Sequence, residues 1–217
     1  MQNWFIKARE NTDHILDAIK KQPFITELIN GTLPIDVFEF YINQDSLYLE
    51  NYKKVLAAVG LKCTHSNDMQ FFLRSASGII EVENHLHQLF LKDKQFSKEP
   101  SPSCELYISY LTKMTTNYSV EEGLAAVLPC FTIYKEVGDY ILANQNNSIA
   151  NPYQNWIDTY GGEEFSKSVA QAIEITNKYA SKTTEETLDK MNLAFEKSSK
   201  LEFIFWDSAY KKEQWKI

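Results

Sequence analysis

Apolar side chains recur at intervals of three and four along almost the whole chain, the period of an amphipathic helix, and nothing reads as a clear strand. Residues 3 to about 20 place Trp4, Ile6, Ile15, Leu16 and Ile19 on one side. Pro23 opens a short helix, Phe24 to Ile29, and Gly31 stops it. Thr32 or Leu33 precedes Pro34 near the first position of a long helix, with Asp36 in its first turn, and the pattern runs to about Gly60. Ser66, Asn67 and Asp68 offer caps for a helix to about Leu91, one side of which holds Met69, Phe72, Leu73, Ala76, Ile80, His87 and Phe90.

Lys92 to Cys104, with two prolines and several charges, reads as the longest loop. Ser103 caps a helix bearing Tyr107, Tyr110, Leu111 and Met114. Ser119 followed by Glu122 is a capping box that opens a helix with Gly123, Ala126, Val127, Cys130, Ile133, Tyr134 and Val137 on its inner side. Inside it Pro129 removes a backbone donor, and the expected bend would help to present Cys130. A polar loop leads to Pro152 and a short helix with Trp156 and Ile157, ending at Tyr160 before Gly161 and Gly162. Glu163 to about Ala180 forms another helix. A second capping box, Thr183 with Glu186, opens the last, whose inner face is Leu188, Met191, Phe195, Glu202, Phe205, Trp206 and Ala209. The expectation is an all-α fold, a bundle of seven to eight helices in one domain spanning residues 1–217.

Composition agrees with long helices, since 7 Gly and 6 Pro in 217 residues are few for turn-rich β folds. The 12 tyrosines change the picture more: a phenol on an inward face needs a partner, so several imply a partly polar interior. The net charge of −7 is scattered, which argues against nucleic-acid binding by a basic face. The amino terminus has no apolar signal core and no run reaches membrane-span length, so a cytoplasmic location without membrane contact is expected. Cys63, Cys104 and Cys130 are odd in number and far apart, fitting neither a disulfide framework nor a zinc knuckle.

Candidate chemistry lies where single polar groups interrupt apolar stripes. Phe38, Tyr41, Asp45, Tyr48 and Tyr52 follow spacings of three and four, so a carboxylate stands in an aromatic row. Asp45 is there either for function or because nearby tyrosine hydroxyls satisfy it. Glu202, between Phe195 and Phe205, would have a raised pKa if buried, as a proton donor near neutral pH needs; its other reading is a partner for a tyrosine or backbone group. Cys130 is either a nucleophile or a small inert core residue. Glu83 and His87 are four apart, yet the Glu-x-x-His pairs of a di-iron bundle are missing, so His85 and His87 read as structural or exposed and a metal-dependent oxidase is disfavoured.

Three segments together resemble the TenA family, also called thiaminase II or aminopyrimidine aminohydrolase. Phe38 to Tyr52 is similar to its Gln-Asp-x-x-Tyr-Leu motif, LAAVLPCFTIYKEVG to its Leu-Pro-Cys-x-x-x-Tyr motif, and Leu201 to Tyr210 to its Glu-x-x-Phe-Trp motif. The likeness covers essentially the whole chain in order. It implies a fold similar to haem oxygenase without haem, commonly a homotetramer, with no cofactor or metal. It also implies hydrolysis of 4-amino-5-aminomethyl-2-methylpyrimidine to the 5-hydroxymethyl compound in thiamine salvage, and cleavage of thiamine. In that likeness Cys130 matches the nucleophile, Glu202 the acid that protonates the pyrimidine, Asp45, Tyr134 and Tyr160 substrate-binding positions, and Tyr48 and Tyr107 tyrosines that assist the cysteine. Phe205, or else nearby tyrosines, is the candidate for stacking on the ring. Phe131 and Thr132 stand where a Tyr-Trp pair is frequent, and Ser208 where Met is usual, which bears on pocket shape. A non-catalytic helical protein that binds a thiamine-like ligand is the alternative from another class.

Overall fold

The computed structural model describes residues 3–90, 97–145 and 150–216, giving only the backbone course for 80–90. Among these residues there are nine helices and no strand: α1 Trp4–Lys20, α2 Pro23–Asn30, α3 Ile35–Lys62, α4 Ser66–Phe90, α5 Pro102–Asn117, α6 Val120–Asn144, α7 Gln154–Gly161, α8 Glu163–Ala180 and α9 Glu185–Tyr210. The count exceeds the expected seven to eight, although each of the nine, the short α2 and α7 included, corresponds to a helical segment marked by the sequence pattern. The side chains of Glu83, His85, His87 and Phe90 lie outside the described residues, as does part of the loop before α5.

Local chemistry explains most helix ends. Pro23 sits at the start of α2, and Gly31 ends it in the left-handed region at φ 66°, where a Cβ would be strained. The Ser119–Glu122 capping box forms at α6 with both reciprocal bonds. Two caps sit one or two residues from where the pattern placed them. Ser101, not Ser103, caps α5, because Pro102 is better tolerated in the first turn, where no backbone donor is needed. Thr184, not Thr183, caps α9 through its bond from the Thr187 amide. On α1, Ile6 is exposed, so the buried stripe is Trp4, Ala8, Thr12, Ile15, Leu16 and Ile19.

The buried helix is α6. It packs on α9 most extensively and also meets α5, α7, α8 and α3, which is why its small and apolar residues lie on every side rather than on one stripe. It remains one continuous helix through Pro129. On its other side α3 packs on α4, α5 and α9. The Gln44 side chain holds the start of α5 against α3, its Oε1 accepting from the Ser101 amide at 2.7 Å. The crossing of α6 and α7 is very close at Gly138, where a Cβ would come within 2.8 Å of the Tyr160 carbonyl carbon. That approach fixes how near Tyr160 stands to α6. Among the described residues no helix is long and apolar enough to cross a membrane.

Candidate active site

Stripes on different helices converge in the middle of the bundle. From α3 come Asp45, Tyr48 and Tyr52, from α6 Cys130 and Tyr134, and from α7 Tyr160, all on the wall of one cavity of about 590 Å³. The exposed end of the cavity is framed by Ser75, Gly78 and Ile79 of α4 and by Asp158, Thr159 and the first turn of α8.

Asp45 is 3% exposed and belongs to a chain of hydroxyls. The Tyr134 hydroxyl donates to its Oδ1 at 3.4 Å, and the Tyr134 and Tyr41 hydroxyls lie 3.2 Å apart. The Tyr134 ring packs against Tyr160 at 4.8 Å and against Trp206 at 5.0 Å between ring centroids. Both readings of Asp45 thus meet in the structure: tyrosines serve the carboxylate, and it still borders the cavity.

Glu202 is 1% exposed and accepts a 2.7 Å hydrogen bond from the Tyr107 hydroxyl on Oε1. Burial raises its pKa to about 8; the Tyr107 bond opposes the rise and the charge of Asp45 adds to it. At neutral pH it is therefore a carboxylic acid. Glu202, Tyr107 and Phe205 do not line the cavity. They pack behind Tyr48, whose ring lies 5.0 Å from Tyr107 and 5.6 Å from Phe205.

Cys130 is partly buried and borders the cavity. Burial raises its pKa well above the ordinary thiol value, and the nearby Glu202 adds to this, while the hydroxyls of Tyr48 and Tyr52 oppose it. The pair that faces the sulfur is thus Tyr48 with Tyr52. Tyr107, paired with Glu202, acts on the sulfur only at a distance. Tyr52 also donates to the Val127 carbonyl at 2.8 Å, which anchors α3 to α6 one turn before the cysteine. The Tyr48 hydroxyl is buried and faces the Cys130 sulfur without an oxygen or nitrogen partner, an unusual state for a phenol and one that a ligand in the cavity can relieve.

Sequence reasoning placed Tyr52 and Tyr41 on the α3 stripe without giving them a role. The signal was present, since both repeat at the same spacing as Asp45. The residues of the exposed rim, Asp158 in α7 and Glu163 and Glu164 at the start of α8 among them, had no signal, because charged residues there look like any solvated surface. Among the described residues no cluster of three or more His, Cys, Asp or Glu side chains could hold a metal ion.

This geometry can be set beside known proteins. A model of the TENA/THI-4/PQQC family matches residues 9–212. An aminopyrimidine aminohydrolase of Bacillus subtilis (strain 168) is 37% identical over 203 residues, covering 89% of this chain and 84% of that protein. An aminopyrimidine aminohydrolase of Halalkalibacterium halodurans is 29% identical over 212 residues, covering 95% of each. Among solved structures, a TenA homologue from P. horikoshii OT3 superposes with a TM-score of 0.84 at 27% identity, covering 96% of this chain and 98% of that one. A domain from Shewanella denitrificans with a heme oxygenase-like fold gives a TM-score of 0.76 at 17% identity over 96% and 92% of the two chains, a likeness of fold alone.

Proposed function

This chain belongs to the TENA/THI-4/PQQC family, and from that premise we propose that its cavity hydrolyses aminopyrimidines, converting 4-amino-5-aminomethyl-2-methylpyrimidine to the 5-hydroxymethyl compound and cleaving thiamine at the same methylene. The observation that carries this reading is the meeting of a thiol, a buried carboxylate and a ring of tyrosines on one cavity, with a protonated glutamic acid behind them.

The aromatic ring resists direct displacement at its methylene arm, so the ring must first be activated. Asp45 accepts from the 4-amino group and orients the ring, with Tyr134 and Tyr160 beside it. Glu202 gives its proton to a ring nitrogen. The sulfur of Cys130 adds to a ring carbon, forming a C–S bond while the displaced electron pair moves onto the protonated ring. That pair then expels the amine or thiazole, breaking the C–N bond and leaving an exocyclic methylene. The thiol proton of Cys130 leaves with the amine; water then adds to the methylene carbon, and the proton it releases restores the thiol as the sulfur departs, while the ring nitrogen returns its proton to Glu202 and aromaticity is regained. Water supplies the hydroxyl of the product and a proton for the leaving amine, so the sum is a hydrolysis.

Both Cys130 and Glu202 are protonated in the empty site, which bears on the order of events. A cationic substrate close to the sulfur favours the thiolate, as does a hydrogen bond from Tyr48. Formation of the nucleophile is therefore coupled to binding, and idle thiolate is avoided. The ring nitrogen that takes the Glu202 proton is the one facing the Tyr48 wall, behind which the Tyr107–Glu202 pair lies.

Thiamine and the aminomethylpyrimidine incubated side by side, with product detection, test the reading. The hydroxymethyl product should appear, and Cys130→Ala should reduce its rate at least 10³-fold, an order of magnitude typical for loss of a covalent nucleophile. Ligand binding without product would instead favour a binding protein, and ordinary turnover by the alanine variant would sink the covalent step. A homo-oligomer, tetrameric by family resemblance, belongs to the same proposal and is checked by sedimentation of the purified chain.

A further inference from the structure

Resting on the aminopyrimidine reading, we propose that the exposed half of the cavity is a leaving-group subsite that selects positively charged arms and rejects anionic ones, through Asp158, Glu163 and Glu164. The first ground is size. A cavity of about 590 Å³ suits a drug-sized molecule, whereas the aminomethylpyrimidine has only about ten non-hydrogen atoms. With the ring held at the buried end by Asp45 and Tyr134, room remains towards α4 and the start of α8 for a second group attached through the methylene.

The second ground is charge. The three rim carboxylates border this outer space, and among the described residues no lysine or arginine lines the cavity. Among the described residues Lys167 pairs with Glu163 at 2.9 Å, both side chains well exposed, so solvent screens the pair, and no ion pair is formed there by Asp158 or Glu164. The Gln154 amide donates to Asp158 at 2.8 Å, which orients the carboxylate without cancelling its charge. The start of α8 by itself would attract anions, but the helix dipole supplies only about half a positive charge against the two carboxylates of its first turn. The buried hydroxyl of Tyr48, without an oxygen or nitrogen partner, lines the same cavity and points to a ligand there on grounds independent of the acids.

The chemistry sets where the effect falls. Before the C–N bond breaks, the arm carries positive charge as an ammonium or a quaternised heterocycle, and this is lost on cleavage. Rim carboxylates favour the bound substrate over the departing neutral group, so they lower KM and promote release rather than raise kcat. A phosphate on the arm would meet repulsion instead.

Two aminomethylpyrimidines that differ only in the end of the N-linked arm, trimethylammonium or phosphate, decide the matter. The wild-type protein should prefer the cationic arm about tenfold or more in kcat/KM, mainly through KM, and the preference should shrink as salt shortens the screening length below ~8 Å. In the triple variant Asp158→Asn, Glu163→Gln, Glu164→Gln the preference should collapse, with each single substitution removing part of it. Absence of a preference in the wild type, or its survival in the triple variant, would overturn the subsite. If no pyrimidine is hydrolysed at all, the aminohydrolase reading fails. Titration calorimetry with the same two compounds then tests charge selection by affinity alone, and equal affinities would overturn it.

Discussion

Replacing Glu202 by glutamine offers a test of the proton donor that needs no substrate. The side chain keeps its shape and its Oε1 can still accept from Tyr107, so packing is preserved while the titratable proton is lost. In the folded protein Glu202 holds its proton up to about pH 8, whereas in the unfolded chain it loses it near the ordinary carboxyl value of 4.5. The folded pKa is raised, so the stability tied to this proton is fully present below 4.5 and falls as pH rises towards 8. Each pH unit in that window is worth about 1.4 kcal/mol, so from pH 5 to pH 7 the wild type should lose about 3 kcal/mol relative to the variant. Subtracting the variant removes all other titrations that the two proteins share. Urea unfolding of both proteins at half-unit steps from pH 5 to 8 measures the difference. A difference constant to within about 0.5 kcal/mol would mean that Glu202 is ionised in the folded state, and the acid role would fall with it. In turnover the same proton should give an alkaline limb to kcat/KM near pH 8, and the glutamine variant should be slower by ~10² or more.

Three further outcomes follow from particular contacts. Tyr107→Phe removes the bond that opposes the rise of the Glu202 pKa, so the alkaline limb of kcat/KM should move to higher pH; a shift downward or none would contradict the pairing. Tyr52→Phe removes the donor to the Val127 carbonyl, which should cost about 1 kcal/mol in unfolding; an unchanged unfolding free energy would contradict that anchor between α3 and α6. Gly138→Ala puts a methyl within 2.8 Å of the Tyr160 backbone, so α7 must move; a loss of ~1–3 kcal/mol and a raised KM are expected, and a variant with wild-type Tm and KM would refute the close crossing.

Much of the architecture was legible along the chain because helices are local. Periodicity of three and four, the Ser119–Glu122 box and the Pro23 and Gly31 punctuation need only neighbouring residues, and they fixed the helices and the inward faces that carry Asp45, Cys130 and Glu202. Even the small errors were local ones, as when Pro102 shifted the cap of α5 back to Ser101. The tertiary structure alone decided which hydroxyl serves which group. Tyr48, Tyr52 and Tyr107 all face inward, but the crossings of α3, α5, α6 and α9 give Tyr107 to Glu202 and leave Tyr48 and Tyr52 to the sulfur of Cys130. Hydrogen bonds across helices depend on distances that no spacing in sequence encodes, and pKa values depend on burial that is likewise a property of the assembled bundle. The acidic rim was invisible for the same reason: Asp158, Glu163 and Glu164 are ordinary solvated residues until the meeting of α4, α7 and α8 turns their neighbourhood into the mouth of a cavity.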